Sequence, residues 1–292
     1  MSKNYTHLIS VVQLADLLSN KNQDKNKVIL LDASIPPVGG AKKPTKCWPN
    51  TSIVGAKRFE LVKDFSDANN PLPHSFPSEQ QFNQQAQRLS IDQESQIIIY
   101  DDLGVFSSAR AWWMFKAMGH KNVAVLNGGL PQWLAHKSTV SAKTKEELSL
   151  KAGNFNGAFI SSYFCSCSDV KEALENKHKT VLDARGYGRF SGTEKEPRAG
   201  MRSGHMPGAL NLPYKSLLSE GCFLPSEQLK NLYTSLIEVN HNPQSLIMSC
   251  GSGVTACILA LGAELCGYSN ITVYDGSWSE WGKLTQLPVV TE

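Results

Sequence analysis

The 292-residue chain repeats one pattern in its two halves. Ile97-Ile-Ile-Tyr-Asp101-Asp-Leu-Gly104-Val105 and Leu246-Ile-Met-Ser-Cys250-Gly-Ser-Gly253-Val254 are each a short apolar run followed by a turn containing glycine. A helical stretch follows in both, over 107–118 and 255–266, and each stretch meets a glycine, Gly119 or Gly267. A glycine just past a helix is the usual left-handed stop. Asn127-Gly128-Gly-Leu-Pro-Gln-Trp133 then matches Asp275-Gly276-Ser-Trp-Ser-Glu-Trp281. Upstream, Val28-Ile-Leu-Leu-Asp32-Ala33 matches Val181-Leu182-Asp183-Ala184, and Val54-Gly55-Ala56 matches Pro207-Gly208-Ala209. Order and spacing kept over so many blocks mark a duplicated domain.

Short, wholly apolar strands alternating with helices imply an α/β fold, a mostly parallel sheet flanked by helices in each half. Two cores also suit this length. The expected organisation is a first domain over 1–137, a polar linker over 138–156, and a second domain over 157–292. Val11, Val12, Leu14, Ala15, Leu17 and Leu18 fall on one face of an opening helix, and Ser168 is the expected cap of a helix over 169–175. A net charge of +3 gives no reason to expect nucleic acid or membrane as a partner, and no apolar run approaches a membrane span. The start of the chain lacks a basic-then-apolar secretory pattern. Seven cysteines without framework spacing fit a reducing compartment, so a cytoplasmic location is expected.

In sheets of this kind ligands sit in the turns after the strands. The turn Cys250-Gly251-Ser252-Gly253-Val254-Thr255 lets the backbone curl so that N–H groups face inward at a helix start, a setting that holds an anion and favours a thiolate. Cys250 is therefore the candidate nucleophile. Cys257 and Cys266, inside the following helix, read as structural. The first half has Asp101 at the matching place, and its loop, with one glycine and the bulky Leu103, is expected to form no working equivalent. Cys165-Ser-Cys167 is too tightly spaced for zinc, and no metal or cofactor is called for.

The Cys250–Thr255 turn, Gly204-His-Met-Pro-Gly-Ala209 and Tyr274-Asp-Gly-Ser-Trp-Ser-Glu-Trp-Gly282 together resemble the tandem-rhodanese sulfurtransferases, with the turn most similar to members that use 3-mercaptopyruvate. The resemblance implies two rhodanese-like domains facing each other across a substrate cleft. It also implies a persulfide on Cys250, pyruvate as product, and cyanide, a small thiol or thioredoxin as acceptor. Gly188-Arg189-Phe190 and Glu196-Pro197-Arg198 match the family's carboxylate clamp, a role that suits the bidentate guanidinium. Asp183 and Arg185 read as structural support. The resemblance makes Gly251, Gly253, Val254 and Thr255 the substrate-binding turn, gives Ser252 a part in stabilising charge, and brings Asp64 and His74 to the cleft. Pro73 before that histidine and Ser75-Phe-Pro77 after it depart from the family pattern.

Members that prefer thiosulfate carry Arg and Lys directly after the cysteine, where this chain has Gly251 and Ser252. Thiosulfate transfer, or a non-catalytic binding module, are the alternatives. A phosphatase of related fold would need Arg six residues after the cysteine, and that residue is Ala256.

Overall fold

Residues 7–19, 28–36, 51–142, 151–175, 179–238 and 245–292 are described by the computed structural model. The chain divides into unit 1 (residues 1–68, 76–160 and 220–222) and unit 2 (residues 69–75, 161–219 and 223–292).

Unit 1 holds β1 (Leu8–Ile9), α1 (Val11–Ser19), β2 (Val28–Asp32), β3 (Thr51–Ile53), β4 (Lys57–Arg58), α2 (Glu79–Arg88), β5 (Gln96–Tyr100), α3 (Ser108–Ala117), β6 (Val123–Leu126), α4 (Gly129–Ala135) and β7 (Val140–Ala142). Its main sheet runs β1-β6-β5-β2-β4, parallel throughout. Every residue of β5 and β6 is buried, as expected of parallel strands covered on both faces. Unit 2 holds β8 (Phe164–Cys165), α5 (Cys167–Glu175), β9 (Lys179–Asp183), α6 (Tyr187–Ser191), β10 (Leu210–Asn211), β11 (Leu218–Ser219), α7 (Ser226–Glu238), β12 (Ser245–Ser249), α8 (Ala256–Leu265), β13 (Ile271–Tyr274) and α9 (Ser277–Trp281). Its sheet runs β8-β13-β12-β9-β10, again parallel. Strand for strand, this is the order of unit 1, so the repeat in sequence is a repeat in topology. Among the described residues no helix is long and apolar enough to cross a membrane.

The helices after β5 and β12 are nearly all buried, and each ends at its glycine with positive φ, +76° at Gly119 and +87° at Gly267. In α1, Leu14 is buried and Val11, Ala15, Leu17 and Leu18 pack on the unit 1 core, but Val12 is exposed. The apolar face is narrower than the composition of the helix suggests. The cap of α5 also differs from expectation. Ser166, not Ser168, caps it: its hydroxyl accepts from Asp169 N (3.3 Å), and Asp169 Oδ2 accepts from Ser166 N and Oγ (2.7 Å each). This is a reciprocal capping box, and Ser168 lies inside the first turn.

The stretch read as a linker is partly built into unit 1. β7 pairs antiparallel with β3, while 143–150 lie outside the described residues. Farther on, Gly153 N donates to Gln87 O (2.8 Å), Phe155 N donates to Ile91 O (3.0 Å), and the Asn83 amide bonds Gly157 in both directions (2.9 Å each). Phe155 is fully buried. Gly153 makes this strap possible, because a Cβ there would overlap the Ile91 backbone.

Gly153→Ala is expected to lift the strap, lowering the melting temperature and opening 151–157 to limited proteolysis. Gly267 has open space around its Cβ position, so Gly267→Ala should cost only the left-handed backbone strain, about 1–2 kcal/mol, without new cleavage. Equal protease resistance in wild type and Gly153→Ala would contradict the strap.

Candidate active site

Cys250 follows β12, the middle strand of the unit 2 sheet, and is fully buried. Gly253, at φ +76°, turns the chain into α8, so the cysteine sits where a helix N-terminus opens. What shapes this turn lies 27 residues away: the hydroxyl of Ser277, at the start of α9, accepts from Cys250 N (3.2 Å) and Gly253 N (3.1 Å) and donates to Tyr274 O (2.8 Å). Trp278 N donates to Cys250 O (2.9 Å). Ser279 binds Gly251 O through both its N–H (2.9 Å) and its hydroxyl (2.6 Å). Two of the turn's N–H groups are therefore taken by Ser277. Ser277 is buried with φ +47°, a backbone state that a non-glycine residue keeps only when its surroundings impose it.

Arg189 and Arg198 converge on this turn. A Cβ built on Gly251 would lie 3.1 Å from Arg189 Nη2 and 3.8 Å from Arg198 Nη1. Arg198 also reaches Ser252 Oγ and Ser279 Oγ, both at 3.4 Å. Burial lowers the Arg198 pKa, and the charge of Cys250 works against that shift. Arg189, on α6, is held by Glu196 through Nε (3.1 Å) and Nη2 (2.5 Å). Glu196 is in turn bound by Arg185 (2.8 Å), which forks onto Asp183 and stacks over Trp278 at 4.0 Å. The side chains of Asp183, Arg185 and Glu196 are almost wholly buried, whereas that of Arg189 keeps 25% exposure. Arg189 is thus oriented from behind and open in front.

His74 comes from the first half of the sequence but packs within unit 2, where its Nδ1 lies 3.1 Å from Ser252 Oγ. Like Ser277, it holds a positive φ, +63°. The structure thus brings together Cys250, Gly251, Ser252, Gly253, Val254, Thr255, Arg189, Arg198 and His74 in one unit. Asp64 lies in unit 1, half-buried, with its carbonyl accepting from Gln81 Nε2 (3.0 Å). Sequence reasoning missed Ser277 and Ser279 as supports of the turn. The one signal for them was two serines in the block after the strand beside β12.

The matching loop of unit 1 is well formed. The Asp101 carboxylate accepts from Leu103 N (3.0 Å), Phe106 N (2.8 Å), Ser108 N (2.9 Å) and Ser108 Oγ (2.6 Å). Burial pushes its pKa up to about 6 against those bonds. Leu103 does not spoil the curl, because only its N–H takes part. A carboxylate already fills the place where an anion would be held.

The Rhodanese-like domain profile matches residues 13–136 and 166–284. Human 3-mercaptopyruvate sulfurtransferase is 39% identical over 258 residues, 86% of this chain and 84% of that protein. The Arabidopsis thaliana mitochondrial thiosulfate/3-mercaptopyruvate sulfurtransferase 1 is 35% identical over 279 residues, 89% of this chain and 73% of that one. Among solved structures, Escherichia coli SseA, described as a 3-mercaptopyruvate sulfotransferase of rhodanese fold, superposes with a TM-score of 0.79 at 31% identity, covering 94% of this chain and all of that one.

Ser277→Ala would remove the acceptor that Cys250 N and Gly253 N share, and a buried N–H that loses its acceptor costs about 1–3 kcal/mol. The variant is expected to melt lower and to show altered alkylation of Cys250 by iodoacetamide. Ser277→Gly removes the same hydroxyl but relieves the positive φ, so it should melt higher than the alanine variant. Wild-type melting and alkylation in Ser277→Ala would show that this hydroxyl does not hold the turn.

Proposed function

The chain belongs to the rhodanese-like family, carrying its domain twice, and is a sulfurtransferase; we propose that it takes sulfur from 3-mercaptopyruvate onto Cys250 and passes it to a thiol or cyanide. The observation behind this reading is the approach of two guanidiniums, Arg189 and Arg198, to the backbone beside the nucleophile. A small keto acid carries a carboxylate as well as its sulfur, and Arg is the side chain suited to hold that carboxylate.

In the first half-reaction the keto acid's carboxylate rests on the arginines and the Cys250 thiolate attacks the sulfur. The new S–S bond forms as the carbon–sulfur bond breaks, and the electron pair leaves as the enolate of pyruvate. The enolate takes up at carbon the proton that the donor's own S–H gives up, which leaves pyruvate and an anionic persulfide. The hydroxyl–imidazole pair of Ser252 and His74, on the turn that carries Cys250, is the group we assign to move that proton. In the second half-reaction the acceptor's sulfur or cyanide carbon attacks the outer sulfur of the persulfide and releases the Cys250 thiolate. Donor and acceptor react in turn at one sulfur, so the kinetics are ping-pong. The first copy is silent in this reading, since a carboxylate at Asp101 cannot hold sulfane sulfur. A reducing compartment such as the cytoplasm suits a working free thiol, and the acceptor is a small thiol, thioredoxin or cyanide.

Thiosulfate is the second donor to consider, for a specific reason. The turn lacks Arg and Lys of its own, but Arg189 and Arg198 already place two positive charges beside Gly251. A dianion therefore has cations to meet at this turn, and the keto acid is the donor we favour because it carries a carboxylate for a guanidinium as well as a sulfur for the thiolate. Side-by-side kcat/KM values for the two donors decide between them, and a higher value for thiosulfate would overturn the donor assignment.

Cys250→Ser should fold as wild type, gain no sulfur by intact-protein mass spectrometry, and lose turnover. Substantial turnover in that variant would sink the mechanism. Arg189→Ala and Arg198→Ala should each lower kcat/KM for 3-mercaptopyruvate by about 10- to 150-fold, the value of a charged hydrogen bond. Wild-type kcat/KM in both would remove the clamp from the site.

A further inference from the structure

Arg189 stands on α6, a helix of five residues with no side-chain cap. So short a helix has no stability of its own, so its neighbours decide where Arg189 points. At its far end Phe190 O accepts from His205 Nδ1 (2.9 Å), which fixes the proton on that nitrogen. The same imidazole stacks on the Phe190 ring, 3.8 Å between centroids and 11° from parallel. His205 is itself tied by backbone bonds in both directions to Val290 (2.9 and 3.0 Å). Two residues on, Glu292 N donates to Ser191 O (3.0 Å), and the exposed Tyr187 hydroxyl donates to Glu292 Oε2 (2.7 Å). The residue before His205 joins in: Gly204 O accepts from Arg185 Nη2 (2.8 Å), and Arg185 holds the Glu196 that holds the Arg189 head.

From this we propose that His205, with the paired segment 290–292, positions Arg189 for the substrate carboxylate. The inference rests on the clamp reading above and extends it to residues that touch neither substrate nor Cys250. Root and head of Arg189 are both referenced to 204–205, the root through Phe190 and the head through Arg185 and Glu196. A shift of 205 and 290–292 would swing the guanidinium away from Gly251, whereas the Cys250 turn has its own supports in the hydroxyls of Ser277 and Ser279. The consequence is a defect confined to the donor half-reaction.

His205→Phe keeps the stacked ring and removes the Nδ1–H donor, whereas His205→Asn keeps a donor and removes the stack. His205→Phe is expected to raise KM for 3-mercaptopyruvate about three- to tenfold with a smaller change in kcat, the scale of one lost hydrogen bond, and His205→Asn about two- to tenfold, the scale of one lost aromatic pair. Tyr187→Phe, on the exposed side of α6, should shift KM the same way by less and cannot unfold the core. Transfer from a preformed persulfide to dithiothreitol should run at the wild-type rate in all three. In an Arg189→Ala background the His205 substitutions should add nothing. Full additivity with Arg189→Ala, unchanged KM in His205→Phe and Tyr187→Phe, or slowed transfer to dithiothreitol would each overturn the positioning role. An Arg189→Ala variant with wild-type KM is the distinct result that removes the clamp itself, and this inference with it.

Discussion

The site depends on a buried run of alternating charges, Asp183–Arg185–Glu196–Arg189. Charges taken out of water persist only when paired with good geometry, so each member dictates where the next must be. The run starts at the end of β9, where Asp183 lies in register with Ser249, the residue before Cys250. It ends at the one member whose side chain is partly open, and Arg198 follows Glu196 by two residues. Strand pairing and ion pairing thus bring the Cys250 turn and two arginines together.

The two copies show how one topology is put to different uses. Both place a strand-end aspartate beside the central strand, but Asp32 of unit 1 pairs with Arg58 (3.1 Å), which also holds Glu60 (3.0 Å), and caps Ser34 N (3.0 Å). Both also curl a loop after the central strand. In unit 1 that loop closes on its own carboxylate, and in unit 2 it carries a thiol with the serine hydroxyls of α9 beneath it. The Asp101 loop is evidence from this chain itself that such a turn, left with free N–H groups, holds negative charge.

Several features could be read residue by residue. Apolar runs named the buried strands, glycines with positive φ ended α3 and α8, and the repeat announced two sheets of equal strand order. Where reading failed, competing local interactions had decided. Ser166 and Ser168 are both plausible caps in sequence, and only the reciprocal bonds to Asp169 select Ser166. Val12 is as apolar as Val11, but the narrow contact face of α1 leaves it in solvent. The polar stretch after Lys137 resembles a linker because its bonds to unit 1 are made by backbone, which leaves no apolar pattern to detect.

The sequence alone determined the duplication and the α/β class, because these follow from local periodicity; it also offered Cys250 as a candidate nucleophile through its glycine-rich turn, and Arg189 and Arg198 through their likeness to the family's motif. Tertiary structure alone decided that Ser277 organises the turn, that Glu196 aims Arg189, and that His74 meets Ser252 across 178 residues of chain. Those contacts depend on which strands become neighbours and on where single hydroxyl and imidazole groups come to rest. Separations of that length leave no periodic trace in the order of residues.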